Sequence, residues 1–218
     1  MEKGNSFMRT KPVFSLLVSM SVPMMLSMLI QSLYNIVDSI YVSRLGTGAL
    51  TAVSLAYPLQ NAIVSVGVGI GVGISSAISI HLGAGDQEKA DRAATLGVVL
   101  SVFHCILFIL AGIFVTRPFL SLFTSDPAIL KDACDYTYIV LCLSFGALLQ
   151  LAFEKIFQGI GKMKITMYLL IVGCVINIIL DPILIFGLLG FPALGVAGAA
   201  IATVIGQICA FLLYVVVY

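Results

Sequence analysis

The chain has 218 residues, of which 61% are hydrophobic and only 10% are charged. A soluble domain carries about 25% charged residues, so this composition, with a mean hydropathy of +1.15, excludes a water-soluble globular protein and indicates a membrane protein. The formal net charge of +1 provides no basic surface for nucleic acid, which is excluded as a partner.

Six apolar stretches are each long enough to cross a bilayer, which takes about 20 residues. All six are predicted to be helices, because a segment in lipid must satisfy its backbone hydrogen bonds internally and no alternating strand pattern is present. The predicted fold class is therefore all-α integral membrane, with six transmembrane helices. The spans are approximately 13–34, 50–82, 93–115, 136–157, 165–188 and 193–218.

Positive charge is distributed unevenly over the connections between these spans. Since cationic connections stay in the cytoplasm, we predict a multi-pass protein of the plasma membrane with a cytoplasmic amino terminus. The last span closes at Tyr218 without a following basic residue, so we expect that more protein normally follows. The predicted cytoplasmic residues are Lys3, Arg9, Lys11, Lys89, Arg92, Lys155, Lys162 and Lys164, against Arg44, Arg117 and Lys131 outside.

The first span leads into four polar residues, Gln31, Tyr34, Asn35 and Asp38. On a helix that advances about 100° per residue these four fall within about 100° of arc, so we expect one polar face that lines a cavity. Pro23 lies in the middle of the span and favours a kink, because it removes a backbone donor. The kink is interpreted either as a hinge or as a static bend.

The second span contains Gly67, Gly69, Gly71 and Gly73, which form two overlapping GxxxG pairs. Such pairs let another helix approach closely, and they predict either plain close packing or a helix that slides during a conformational cycle. The glycines do not form a GxGxxG turn between a strand and a helix, and no GKS or GKT follows. ATP-driven transport by this chain alone is therefore not expected.

The fourth span ends in a weaker polar pair, Gln150 and Glu154. Because Lys155 is adjacent, Glu154 is predicted to be a solvated charge at the membrane interface. The five cysteines show no Cys-x-x-Cys spacing, and His81 and His104 are isolated. These patterns predict no disulfide framework, no metal cluster and no cofactor.

The fifth span carries Asn177 and Asp181 one turn apart, followed by Pro182 as a second candidate hinge, and the sixth repeats this spacing with Thr203 and Gln207. An ionised carboxylate at mid-membrane costs about 2.5–3.5 kcal/mol and requires a partner, a water-filled cavity or a proton. Since no Lys or Arg lies at comparable depth, Asp181 and the aspartate of the first span are predicted to bind H+ or Na+. Thr203 and Gln207 alone could simply hydrogen-bond a neighbouring helix.

Six segments spread from the first span to the sixth carry a family resemblance. They are 31–38, 41–46, 81–86, 157–161, 177–182 and 195–203. Together they resemble the multidrug and toxic compound extrusion (MATE) family of cation antiporters. The resemblance implies twelve helices in two six-helix lobes, of which this chain matches the amino-terminal lobe and lacks the second.

The same resemblance implies export of organic cations or amphipathic drugs in exchange for H+ or Na+. It assigns the ion site to the residues matching Asp38, Asn177, Asp181 and Thr203. Gln31 and Tyr34 are implied to line the same cavity, and Pro23 to bend the first helix on protonation.

We therefore expect a secondary multidrug antiporter working by alternating access, with membrane lipid around it and a missing carboxy-terminal lobe or a second half-copy as partner. One alternative is a lipid-linked saccharide flippase of the same superfamily, which would need a cationic cavity. Another is a non-transporting half-length membrane scaffold, in which both aspartates would tolerate Asn. An intramembrane enzyme is not expected, because HExxH and a Ser/His pair at matching depth are absent.

Overall fold

A computed structural model of the protein describes residues 12–218, all of its regular structure being helical. Among the described residues five helices are each long and apolar enough to span a membrane, and the bent pair α4–α5, counted as one span, gives six. The prediction of an all-α membrane fold is confirmed, while the basic residues Lys3, Arg9 and Lys11 lie outside the described range. The helices are α1 (Val13–Ser43), α2 (Thr47–Gly83), α3 (Gln87–Leu120), α4 (Pro127–Cys142), α5 (Phe145–Gly159), α6 (Met163–Phe186) and α7 (Val196–Val217), with a 3₁₀ turn at Leu188–Gly190.

The fourth predicted span, 136–157, is two helices rather than one. Helix α4 ends at Cys142, α5 begins at Phe145, and the two axes differ by 46°. No proline lies at this break. Gly146 directly follows it, and a Cβ on Gly146 would lie 2.8 Å from the side chain of Ile208 in α7. The break therefore coincides with a close approach of α7, which a continuous apolar sequence does not reveal.

Glycines on one face of α2 let α5 pack directly against its backbone. A Cβ on Gly67 would lie 2.6 Å from Leu151 of α5, and a Cβ on Gly71 would overlap the stem of Lys155. Gly69 and Gly73, on the other face, have open space around them. The close-packing interpretation therefore holds for the pair Gly67/Gly71 and not for Gly69/Gly73. The space beside Gly71 is filled by the stem of Lys155, which lies inside the helix bundle.

Helices α6 and α7 form a tight hairpin that fixes the depth of their polar residues. The hairpin closes through hydrogen bonds from the backbone N–H groups of Leu194 and Gly195 to the carbonyls of Leu184 and Ile185. Further along, a Cβ on Gly206 of α7 would lie 2.9 Å from the carbonyl oxygen of Gly173 in α6. Two glycines facing each other bring the helix axes close together, so polar side chains one turn away can touch.

Helix α1 lies at the edge of the bundle, where it packs mainly against α6. Its only buried residues are Pro23, Ser27 and Val42. The helix continues through Pro23, whose carbonyl accepts a hydrogen bond of 2.8 Å from the Ser27 hydroxyl. Most of the remaining α1 surface is apolar and exposed, as expected of a surface that contacts lipid or another helical unit.

The exposed face of α1 also carries serines. The hydroxyls of Ser32 and Ser39 donate to the carbonyls of Met28 and Asn35, and that of Ser43 donates to Ile40. Each bond is short, at 2.8–3.0 Å, and stays within the helix. The polar atoms of these serines are therefore satisfied by α1 itself.

Candidate functional site

Asn177, Asp181 and Thr203 meet between α6 and α7. Their exposed fractions are 3%, 0% and 4%. The Asn177 amide nitrogen lies 3.4 Å from Asp181 Oδ1 and 3.3 Å from Thr203 Oγ1. In the opposite amide orientation the nitrogen donates to Asp181 Oδ2 at 3.2 Å, and the oxygen accepts from the Thr203 N–H at 3.1 Å. Asn177 therefore connects the carboxylate of α6 to α7 in either orientation.

Asp38 of α1 faces the same region and has no protein partner for one of its oxygens. Its Oδ1 is buried, and within residues 12–218 no group hydrogen-bonds to it. Asp38 and Asp181 lie close enough to interact electrostatically. None of the ion pairs found in the described part of the chain involves either carboxylate. An open buried oxygen beside a second carboxylate leaves room for a proton or a cation as the missing partner.

Two tyrosines from different helices complete the surroundings of the carboxylates. Tyr34 of α1 and the fully buried Tyr136 of α4 both lie within electrostatic range of Asp38 and Asp181. The Tyr136 hydroxyl donates to Gln60 Oε1 of α2 at 3.2 Å. Neither Tyr136 nor Gln60 was predicted from the sequence, because each is a single polar residue in an apolar span with no periodic partner.

A small cavity of about 60 Å³ opens beside Asn177 and Thr203. This volume exceeds the 10–15 Å³ that one water needs, and the polar lining offers several hydrogen-bond partners. Gln31 and Tyr34 line it, as the sequence predicts. Gln150 and Gln207 also line it, although the sequence analysis left them outside the site. The remaining lining residues are Leu170, Gly173, Cys174 and Gly206.

Asn35 departs from the predicted polar face. It does not line this cavity but an outward groove of about 360 Å³ with Ser39, Ser43 and Leu50. The reason is geometric, because Asn35 is rotated about 100° from Tyr34 around the helix axis. The predicted face is therefore narrower than the sequence suggests.

Glu154 is the clearest correction to the sequence analysis. It is 8% exposed, so it is not a solvated interfacial charge. Its Oε1 accepts from Gln158 Nε2 at 2.8 Å and lies 3.3 Å from Lys155 Nζ. Lys155 is therefore not a charge of the fourth connection, since it lies inside α5 with its stem against Gly71.

The site of Asp38, Asn177, Asp181 and Thr203 is rich in oxygen, and no cationic side chain of residues 12–218 pairs with its carboxylates. Carboxylate, amide and hydroxyl oxygens are ligands for hard cations, and a carboxylate in apolar surroundings equally accepts a proton. Among the described residues no group of three or more His, Cys, Asp and Glu side chains could hold a metal ion. The arrangement is chemically suited to one small monovalent ion or a proton.

The connection between α2 and α3 lies outside the membrane-spanning segments. Asp86 caps α3 by accepting from the Lys89 N–H at 3.0 Å, and its carboxylate pairs with Lys89 Nζ at 2.7 Å. These hydrogen bonds hold the pKa of Asp86 below its ordinary value and raise the pKa of Lys89. The connection is thus ordered by its own polar contacts.

Residues 23–183 match the family model named MatE. The probable multidrug resistance protein YoeA of Bacillus subtilis is 36% identical over 89% of the chain and 42% of its own length. The multidrug export protein MepA of Staphylococcus saprophyticus is 28% identical over 94% of the chain and 45% of its own length. A FAD transporter of Shewanella oneidensis is 30% identical over 91% of the chain and 44% of its own length.

Solved structures agree in fold. A structure described as MATE in the bent conformation has a TM-score of 0.87 and 34% identity, covering 97% of this chain and 46% of that one. An outward-facing multidrug resistance MATE family transporter has a TM-score of 0.86 and 32% identity, covering 91% and 43%. The chain therefore spans less than half the length of these proteins and corresponds to one of their lobes.

Proposed function

Because this chain belongs to the MatE family, we propose that it forms the amino-terminal lobe of a secondary multidrug efflux antiporter. The transported compounds are organic cations or amphipathic drugs, and the exchanged ion is H+ or Na+. Members of this family are transporters rather than enzymes, so no catalytic step is proposed. The flippase alternative is not favoured, since no Lys or Arg among residues 12–218 lines the site cavity.

The observation that carries this proposal is a pair of carboxylates on different helices, of which Asp181 is buried and Asp38 is half-buried with one buried oxygen. Asp181 is held by Asn177 within the α6–α7 hairpin, whereas Asp38 belongs to the edge helix α1 and keeps an open oxygen. Two like charges at close range in low dielectric repel strongly. Binding of H+ or Na+ between them removes this repulsion, so the ion changes how firmly α1 holds to α6.

Movement of α1 supplies the conformational step. The helix contacts the rest of the lobe mainly through α6, and Pro23 and Pro182 interrupt the backbone ladders on either side of that contact. Each proline leaves a carbonyl free one turn earlier, which lowers the cost of bending. We propose that ion binding bends α1 about Pro23, with Pro182 adjusting α6, and thereby alternates access to the drug cavity.

The length of the relatives supports a second lobe that is not part of this chain. Known multidrug exporters of this family are more than twice as long as this chain. We propose that a carboxy-terminal lobe, or a second copy of this half, closes the cavity in the bilayer. The cationic residues of the connections favour a cytoplasmic amino terminus in the plasma membrane, although Lys155 no longer counts among them.

The test replaces each carboxylate in the complete protein that contains this lobe. Asp38→Asn and Asp181→Asn should each lose active drug efflux from cells while membrane expression stays unchanged, because neither amide can exchange a proton. Asp91→Asn, at an exposed aspartate of α3, is the matched control and should transport normally. Normal efflux by both site variants would refute the ion site.

The coupling ion is decided in proteoliposomes. Drug uptake or efflux driven by a pH gradient is compared with that driven by a Na+ gradient of equal size. A transporter that responds to neither gradient would contradict secondary antiport altogether.

A further inference from the structure

The end of α3 and the start of α4 enclose a cavity of about 300 Å³ that is separate from the ion site. A Cβ on Gly112 of α3 would lie 3.0 Å from Leu141 Cβ and 3.2 Å from Cys142 Sγ of α4, so the two helices are in close contact at this level. About one turn further along, Arg117 of α3 and Tyr138 of α4 line the cavity instead. The helices therefore diverge toward the membrane surface, and the space between them stays open.

Charged side chains of both signs line this cavity. Arg117 comes from α3, and Lys131 and Asp135 come from successive turns of α4. Arg117 and Asp135 both lie within electrostatic range of the Cys134 thiol. None of the ion pairs found in residues 12–218 involves any of the three charges. Two cations and one carboxylate are therefore available to a ligand in the cavity.

The cavity lies where the membrane surface meets an apolar helix face. Arg117 is in the last turn of α3, which ends at Leu120. Phe114 and Leu110 lie three and seven positions before Arg117, so all three share one face of the helix. Phe114 is 70% exposed and Leu110 is 46% exposed. A headgroup bound in the cavity would thus have its acyl chains along this apolar face of α3.

We propose that this cavity binds a membrane phospholipid whose headgroup carries both a phosphate and a primary ammonium group, as phosphatidylethanolamine does. Arg117 and Lys131 hold the phosphate, since guanidinium and ammonium groups both make strong hydrogen bonds to phosphate oxygens. Asp135 accepts a hydrogen bond from the ammonium group of the headgroup. This lipid site goes beyond the proposed antiport function and uses none of the residues of the ion site.

The mixture of charges distinguishes this headgroup from other ligands. An anionic headgroup, as in phosphatidylglycerol, is attracted by the two cations but repelled by Asp135. Phosphatidylcholine carries both charges, but its quaternary ammonium group has no N–H to donate to a carboxylate. A free phosphate ion has no acyl chain to cover the apolar face of α3, so it lacks the favourable burial of apolar surface.

The first experiment compares lipids on the unmodified protein. The complete protein that contains this lobe is purified in detergent, and lipid binding is measured by native mass spectrometry. Phosphatidylethanolamine, phosphatidylglycerol and phosphatidylcholine with identical acyl chains are added in turn. Phosphatidylethanolamine should bind with the lowest dissociation constant. Equal binding of the three lipids would overturn the proposal, and this comparison needs no variant.

The second experiment assigns the binding to this cavity. A basic side chain near a membrane surface changes the binding of a phosphate headgroup by about 5-fold, so Arg117→Gln and Lys131→Gln should each weaken the binding of phosphatidylethanolamine by about that factor. Arg44→Gln, at an exposed arginine directly after α1, is the matched control and should bind the lipid normally. Normal binding by both cavity variants would overturn the site.

The third experiment tests the contact with the ammonium group. Asp135→Asn removes the partner of the ammonium and the repulsion of an anionic headgroup, so the preference for phosphatidylethanolamine over phosphatidylglycerol should fall by about 5-fold or more. An unchanged preference would show that Asp135 does not contact the headgroup and would refute the assignment. Inorganic phosphate should not displace the lipid from the unmodified protein. Displacement would identify a plain anion site and would equally refute a lipid site.

Discussion

The contact of Gly206 with α6 allows the packing that brings Asn177 to Thr203 to be tested quantitatively. In Gly206→Ala the new methyl group would lie 2.9 Å from the Gly173 carbonyl oxygen and 3.3 Å from Asn177 Cβ. Both distances are shorter than ordinary van der Waals contact, so α6 and α7 must separate by several tenths of an ångström. Overpacking of this kind costs about 1–3 kcal/mol.

Alanine also has a higher helix propensity than glycine, which raises the stability of the variant and partly offsets the cost of overpacking. Replacing a mid-helix glycine by alanine stabilises a helix by about 0.8–1.0 kcal/mol. Gly69→Ala is the matched control, because the same methyl group enters open space on α2. The difference between the two variants therefore isolates the clash, and Gly206→Ala should be less stable than Gly69→Ala by about 1–3 kcal/mol.

The assay is thermal unfolding of the purified complete protein in one detergent, with a drug-binding measurement on the same samples. Proteins of 150–250 residues shift their midpoint by about 2–4 °C per kcal/mol, so a complete protein of twice this length should shift by about 1–2 °C per kcal/mol. Drug exchange should also fall in Gly206→Ala, since separation of the helices pulls Asn177 from Thr203. Equal midpoints for the two variants would refute the close-contact explanation of this site.

Two further predictions concern the site surroundings and the α2–α3 connection. Tyr136→Phe removes the hydrogen bond to Gln60 and should lower the free energy of unfolding by about 0.5–1.5 kcal/mol, measured by chemical denaturation; no loss would show that this hydroxyl is not needed. Asp86→Ala should destabilise the protein at neutral pH, because it removes the cap of α3 and the partner of Lys89. Since the pKa of Asp86 is lowered by folding, its contribution is complete above the unfolded value of about 3.9 and is lost as pH falls through the folded value. Unfolding midpoints of both proteins across the acid range should therefore converge below that value, and a constant difference would contradict this assignment.

The sequence was sufficient where a pattern repeats along one helix. Asn177 and Asp181 are one turn apart, and the cost of a carboxylate in an apolar span was enough to predict that Asp181 has a polar partner or a cavity beside it. The sequence was not sufficient for residues that reach the site only through the packing of neighbouring helices. Tyr136 and Gln150 become part of the site only because α4, α5 and α7 meet there, and the 46° bend between α4 and α5 has no local sequence signal.

Glu154 was also misplaced by sequence reasoning, which put it at the membrane surface although the structure buries it. Adjacent opposite charges near the end of a span are typical of the membrane interface, and this pattern predicted a solvated pair. The decisive factor was Gly71 on another helix, whose missing side chain gives the stem of Lys155 a place inside the bundle. Long-range packing of this kind is encoded jointly by two distant segments, so neither segment reveals it alone.

The serines on the outer face of α1 determine which surroundings their own positions tolerate. The hydroxyls of Ser32, Ser39 and Ser43 each donate a hydrogen bond to a backbone carbonyl of their own helix. A hydroxyl satisfied in this way loses little when water, a lipid chain or another protein surface lies opposite. These three positions of α1 can therefore face water, a lipid chain or a protein surface at a similar free energy, although the apolar side chains around them cannot.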